Sequence, residues 1–210
     1  MRSVNSYNRI VIKIGSAVLA NSNGVVRHNI LSSISEDIAW LLKNNKEVLI
    51  VSSGAIALGR KKIKLSEMLT VAESQALAAH GQIELMSAWK KHLNKFSIPI
   101  GQILLTPKDT ELKLSSKNAK QTVAKLLEAG CLPIINENDS TATDEIRFGD
   151  NDLLAAKVAK LIDADLLIIL STVDGLYNSV KDVQTKNHNS LVKEVNKITP
   201  KIKKMAGDAS

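Results

Sequence analysis

Five short, almost wholly apolar runs, at 9–14, 47–52, 100–105, 132–135 and 166–170, are spaced along the chain with helix-patterned stretches between them. Strands buried on both faces give such continuous runs, whereas a strand with one wet face alternates. The intervening stretches have the other period. In 28–43 the apolar residues Ile30, Ile34, Ile38, Leu41 and Leu42 recur at helical spacing. Residues 69–94 are rich in Ala, Leu, Glu and Gln and predict a helix with a break near Gly81; 115–129 predicts a helix ending at Gly130, and 151–162 another. This β–α alternation predicts an α/β sandwich with a mainly parallel sheet, with Val11, Ile12, Leu49, Ile50, Ile134, Ile168 and Ile169 in its core. The polar stretch 178–189 predicts a loop.

The 210 residues are enough for one domain with a real core, and 44% of them are apolar. No apolar run reaches the roughly 18–20 residues of a membrane span, and the N-terminus shows no signal-peptide pattern. A single cysteine, Cys131, rules out an internal disulfide or a cysteine-built metal site. These features predict a cytoplasmic protein without a membrane partner, in which Cys131 is a small hydrophobe. The four histidines show no ligand spacing, and no metal site is expected. The net charge of +7 invites a nucleic-acid reading, but two each of Trp, Tyr and Phe are too few for stacking platforms. A solvated basic surface, or attraction to a phosphate-bearing small molecule, accounts for the charge without nucleic acid.

Ligands of doubly wound sheets bind outside the carboxyl ends of the strands. Four strand ends here are followed by small, polar, glycine-containing or amide residues: Gly15-Ser16, Ser52-Ser53-Gly54, Asn136-Glu137-Asn138-Asp139-Ser140 and Ser171-Thr172-Val173-Asp174-Gly175. Turn chemistry supplies some of this, but the recurrence at four ends favours a ligand site. Lys13 is out of place in a buried strand, because an unpaired buried lysine is costly. It either snorkels to water or aims a cation at a phosphate near Gly15. No P-loop and no G-x-G-x-x-G spacing is present, so a phosphate site here is of another kind. Ser53 either caps a helix or opens an anion-binding helix start. In Gly149-Asp150-Asn151-Asp152, Asp150 suits a helix cap, whereas Asp152 stands among three consecutive polar capping residues where one would do.

Taken in order, Lys13-Ile14-Gly15-Ser16, Ser52-Ser53-Gly54-Ala55-Ile56, Gly101-Gln102-Ile103-Leu104-Leu105-Thr106, Ile135-Asn136-Glu137-Asn138-Asp139, Phe148-Gly149-Asp150-Asn151-Asp152 and Val173-Asp174-Gly175-Leu176-Tyr177 resemble the glutamate 5-kinases, a family of the amino acid kinase superfamily. The resemblance runs from about Arg9 to Ser210. It implies a three-layer αβα sandwich that phosphorylates the side-chain carboxylate of L-glutamate with ATP and Mg²⁺, the first step toward proline. By resemblance, Lys13 is catalytic and contacts the transferring phosphate, and Asp152 organises the catalytic lysines. Ser53, Asp139 and Asn151 match glutamate-binding positions, and Lys13, Gly15, Ser171 and Thr172 fall to the nucleotide. The family more often has Thr-Asp or Ser-Asp at 171–172. A homodimer or homotetramer is expected.

The family continues past Ser210 into a Gly-Thr-Gly-Gly-Met loop with a second catalytic lysine, and some members add an RNA-binding PUA domain. The expectation is therefore a single amino acid kinase domain over 1–210, incomplete at its nucleotide-binding end. The competing expectation is a non-catalytic remnant that binds glutamate or a partner chain. A carboxylate nucleophile with a pKa near 4.3 needs no general base, so the lack of a catalytic histidine is no objection. Phosphoryl transfer asks for alignment and for cations around the developing charge.

Overall fold

A computed structural model of the chain describes residues 4–61, 63, 69–141, 151–185 and 187–205. Lys62, the Phe148-Gly149-Asp150 segment and 206–210 lie outside them. The described chain divides into two compact units, 1–170 and 171–210.

In the first unit, β1 (Arg9–Ile14), α1 (Ser16–Leu19), α2 (His28–Lys43), β2 (Glu47–Ser52), α3 (Ala55–Gly59) and α4 (Val71–Leu93) come first. They are followed by β3 (Ile100–Leu105), α5 (Pro107–Glu111), α6 (Lys113–Glu128), β4 (Leu132–Glu137), α7 (Asn151–Leu161) and β5 (Leu166–Leu170). The five strands form one sheet in the order β3-β4-β2-β1-β5, and every pairing is parallel.

Strand alternation sends the two sets of apolar side chains to opposite faces. Ile10, Ile12 and Ile14 of β1 pack with Leu31, Ile38, Leu85, Trp89 and Leu93 of α2 and α4. Val11 of β1, with Leu49 and Val51 of β2, packs with Val123, Leu154 and Val158 of α6 and α7. The chain thus has helices on both faces of the sheet, which is the αβα sandwich. The direction of travel explains the sorting. From β1 to β2 to β3 the chain moves one way along the sheet, and from β3 to β4 to β5 it moves back. Parallel crossovers share one hand, so the two directions place their helices on opposite faces.

The core expectations hold for Val11, Ile12, Leu49, Ile50 and Ile134, all buried, and Ile168 is half-buried against the α2/α4 side. Ile169 is a correction, being 47% exposed. It lies on the edge strand β5 level with Lys13, one pleat beyond Leu167, where the α7-side cluster still reaches. An apolar run on an edge strand is indistinguishable in sequence from one at the centre.

Helix α4 does not break at Gly81. A Cβ there would collide with the carbonyl oxygen of Ala55 and lie 2.6 Å from the Gly59 nitrogen. The glycine lets α3 and α4 touch backbone to backbone. Thr70 and Glu73 close a capping box at the start of α4, which fixes where the long helix begins. Strand β4 runs two residues further than its apolar pattern, through Asn136 and Glu137.

The second unit holds β6 (Leu176–Tyr177), α8 (Val180–Gln184), β7 (Leu191–Val192) and α9 (Pro200–Met205), with β6 and β7 antiparallel. Helix α8 occupies part of the stretch expected as loop. Its start is made by the Ser179 hydroxyl accepting from Asp182 N–H, and the Asp182 carboxylate in turn accepts from Ser179 and Asn187. Polar capping builds this turn without an apolar stripe to reveal it.

Candidate active site

Connections leave β1 and β2 toward the α2/α4 face, and β3 and β4 toward the α6/α7 face. The change of face falls between the neighbours β2 and β4, and a crevice opens at such a switch point. The sequence places Ser52-Ser53 at the end of β2 and Asn136-Glu137 at the end of β4, and α7 begins at Asn151.

These residues join. Asn151, 4% exposed, donates through Nδ2 to Ser53 Oγ at 2.7 Å and to Asn136 Oδ1 at 3.1 Å. Asn136 Nδ2 then donates to Gln82 Oε1 of α4 at 2.8 Å. Ser53 is no helix cap: Gly54, in the left-handed region at φ 108°, is the N-cap of α3, and no side chain caps it. Helix α3 has only five residues, and the Ser53 hydroxyl accepts from the amide cluster. Behind it, Trp89 Nε1 donates to Ser52 Oγ at 3.0 Å, pinning α4 to the end of β2.

Asp139 opens a short 3₁₀ turn (Asp139–Thr141) after β4. It lines a cleft of about 510 Å³ with Gln82, Lys90, Gln102, Glu137 and Ser140. Asp139 is 9% exposed, and burial pushes its carboxyl pKa up to about 6. Among the described residues no cation pairs with it. A buried, uncompensated carboxylate in an open cleft suits a ligand that brings a positive group.

One residue along α7 from Asn151, Asp152 faces different chemistry. Its Oδ1 lies 2.5 Å from Lys13 Nζ. The Lys13 side chain is 9% exposed and that of Asp152 54%. Lys13 is therefore a buried, paired cation rather than a snorkelling one. Gly15 sits beside it in extended backbone, its N–H donating to Leu170 O at 3.0 Å. A Cβ on Gly15 would come 3.6 Å from Lys13 Nζ, so the glycine keeps one side of the ammonium open.

Six of the sequence-predicted residues thus gather at one end of the sheet: Lys13, Gly15, Ser53, Asp139, Asn151 and Asp152. Ser171 and Thr172 follow directly on β5, belong to the second unit and are exposed. Sequence reasoning assigned no role to Asn136, though it lay in one of the four strand-end segments, and passed over Gln82. Asn136 had a signal, a buried strand running on into amide and acid residues. Gln82 had none, because a glutamine on a long helix reads as solvent-facing.

Among the described residues, no three His, Cys, Asp or Glu side chains converge to hold a metal ion. An Mg²⁺ that arrives on nucleotide phosphates keeps several waters and asks for only one or two carboxylates. The donor set fits that mode rather than a protein cage. No described helix is long and apolar enough to cross a membrane.

Residues 8–206 match the amino acid kinase family. The chain is 49% identical to the glutamate 5-kinase of Allorhizobium ampelinum, over 100% of this chain and 53% of that protein. It is 50% identical to the glutamate 5-kinase of Agrobacterium fabrum, over 98% of this chain and 52% of that protein. With the glutamate 5-kinase 1 of Mesorhizobium japonicum the identity is 46%, over 100% of this chain and 55% of that protein. The chain spans about half the length of the curated relatives it matches.

Proposed function

The chain belongs to the amino acid kinase family, and we propose that it serves the ATP-dependent phosphorylation of the side-chain carboxylate of L-glutamate, giving glutamyl 5-phosphate. The observation that carries this reading is the pairing of two unlike subsites on consecutive residues of one helix. Asn151 belongs to a neutral amide cluster beside the Asp139 cleft, and Asp152 belongs to a cation site at Lys13. An acceptor that carries both an ammonium and carboxylates, and a polyanionic donor, need those two environments next to each other.

In this reading Asp139 receives the α-ammonium group of glutamate, which compensates its buried charge. Ser53 and Asn151 bind and orient the acceptor. The acceptor carboxylate is ionised at neutral pH and attacks without a general base. The obstacle is repulsion between two anions. Lys13 offsets it with an ammonium held in place by Asp152, and preorganised charge of this kind is usually the largest catalytic contribution. Gly15, Ser171 and Thr172 are assigned to the nucleotide. Mg²⁺ accompanies the nucleotide phosphates and neutralises part of their charge. The protein is placed in the cytoplasm as a homodimer or homotetramer, with L-glutamate and ATP as partners and no nucleic acid or membrane.

Hydroxylamine trapping tests this directly. The full-length protein should form hydroxamate only when both ATP and L-glutamate are present. Glutamate that raises Tm without any trapped product would favour a binding protein, and no response to glutamate in either assay would remove the reading.

A further inference from the structure

Four polar side chains at the switch point form a chain with a direction. Gln82 Oε1 accepts from Asn136 Nδ2 at 2.8 Å, so Asn136 must turn its oxygen the other way. That oxygen accepts from Asn151 Nδ2 at 3.1 Å, and the same nitrogen donates to Ser53 Oγ at 2.7 Å. A hydroxyl that accepts from Asn151 keeps its own proton for another acceptor. Asn136 is 1% and Asn151 4% exposed, so water cannot stand in for a lost partner.

The two ends of this chain are unpaired: Gln82 Nε2 and Asn151 Oδ1 are buried with no hydrogen-bond partner among the described residues. The opposite polarity would make as many hydrogen bonds, with Ser53 donating to Asn151 and its proton withdrawn from the site. The observed direction is the one in which Gln82, which lines the cleft with Lys90, Glu137 and Asp139, turns its oxygen to Asn136.

We propose that Gln82 is a positioning residue: through Asn136 and Asn151 it sets the polarity of the Ser53 hydroxyl, so that Ser53 donates its proton to a carboxylate of the bound acceptor. The inference rests on the proposed glutamate kinase reading and adds to it the residue that decides which way the acceptor-side hydrogen bonds run. Gln82 touches no reacting atom. It acts on Ser53 from two amides away, with α4 as the rigid mount held by Trp89 on Ser52.

Double-mutant kinetics on the full-length enzyme test it. Gln82→Met leaves Asn136 Nδ2 without its acceptor, and an unsatisfied buried donor in the acceptor site should raise the glutamate KM about tenfold. The ATP KM and kcat should move less than about threefold, because Lys13 is untouched. In a Ser53→Ala background the further change Gln82→Met should alter the glutamate KM less than about twofold, since the relay then has nothing to orient. Gln82→Glu keeps an oxygen for Asn136 and, assayed at a pH where it is ionised, is acceptor-only and so does not support the reverse polarity. It should hold the glutamate KM within about threefold of wild type, and it tests the relay even if Gln82→Met does not fold. Full additivity of Gln82→Met with Ser53→Ala, an unchanged glutamate KM in Gln82→Met, or a KM in Gln82→Glu raised as far as in Gln82→Met, overturns the relay alone. A wild-type enzyme that makes no glutamate-dependent hydroxamate overturns the function, and the relay with it.

Discussion

Asn151 and Asp152 are neighbours in the first turn of α7, yet they serve surroundings of opposite character. Asn151 is buried in a neutral network of Ser53, Asn136 and Gln82, each held by hydrogen bonds of 2.7–3.1 Å. Asp152 is half exposed and pairs with the ammonium of Lys13. The contrast follows from the cost of burial. Amides go into the interior at little net cost once their hydrogen bonds are made, and then define a shape. A fully buried ion pair loses more in desolvation than it gains, unless its geometry is excellent. Asp152, partly wet, orients the Lys13 side chain without closing it off from the site. In the proposed reading, one side of the site selects the acceptor and the other stabilises charge.

The largest effects should fall on the charged side. If the proposed role of Lys13 holds, Lys13→Ala should lower kcat by about 10²–10³ or more, with a glutamate KM changed only a few-fold. An equal rise in glutamate KM with kcat intact would erase the division, because Lys13 would then be a binding residue. On the selecting side, Asp139→Asn keeps the shape but removes the charge that faces the acceptor. The glutamate KM should rise roughly 10- to 100-fold, in line with the loss of a charge-assisted hydrogen bond, while kcat at saturating glutamate stays within a few-fold. Full progress curves over glutamate concentration separate the two outcomes.

The sheet, its helices and six of the residues that gather at the strand ends could be located from sequence, and the reasons differ by element. Buried parallel strands advertise themselves, so β1, β2, β3 and β5 appear with the limits the pattern gave. The charged half of the site was legible because Lys13 breaks an apolar run. The neutral half was only partly legible. Gln82 and Asn136 are linked across 54 residues, and nothing local marks a long-range amide pair. Gly81 shows the same limit. Within its helix it looks like a breaker, and its reason lies on α3, in a backbone contact that no periodicity records.

Gly81 also offers a smaller perturbation that reaches the selecting side alone. Gly81→Ala forces a methyl into the Ala55 carbonyl and must push α3 and α4 apart. Overpacking of this kind costs about 1–3 kcal/mol, visible as a lower Tm. Because Gln82 rides on the same turn of α4, the glutamate KM should rise with it, whereas the ATP KM should not. Calorimetry and kinetics on one preparation check both. A lower Tm with unchanged glutamate KM would mean that the amide network tolerates movement of its mount.

The gentlest way to separate the halves is pH. Burial holds the Asp139 carboxyl at about 6, above its ordinary 3.8. A folded-state pKa raised above the unfolded one means that the free protein binds more protons than the unfolded chain between those values. The stability contributed by this group is therefore complete below pH 3.8 and is lost as pH rises through 6. His92 works in the other direction: burial, helped by Lys95, His28 and Lys91, lowers its pKa from 6.5, so its contribution is present above pH 6.5 and lost as pH falls. In the proposed reading, binding follows the ionisation of Asp139. An ammonium ligand pairs only with the ionised carboxylate, so the glutamate KM should be flat above pH 7 and climb as pH falls through 6, by about tenfold per unit at most. Glutamate's own side chain, with a pKa near 4.3, stays ionised over pH 5–7 and leaves that window clean. Asp139→Asn should flatten the KM profile while leaving the His92-linked loss of Tm at acid pH in place. A KM profile that keeps its slope in Asp139→Asn would show that the ammonium is received elsewhere, and that the selecting side is held by amides without a charge of its own.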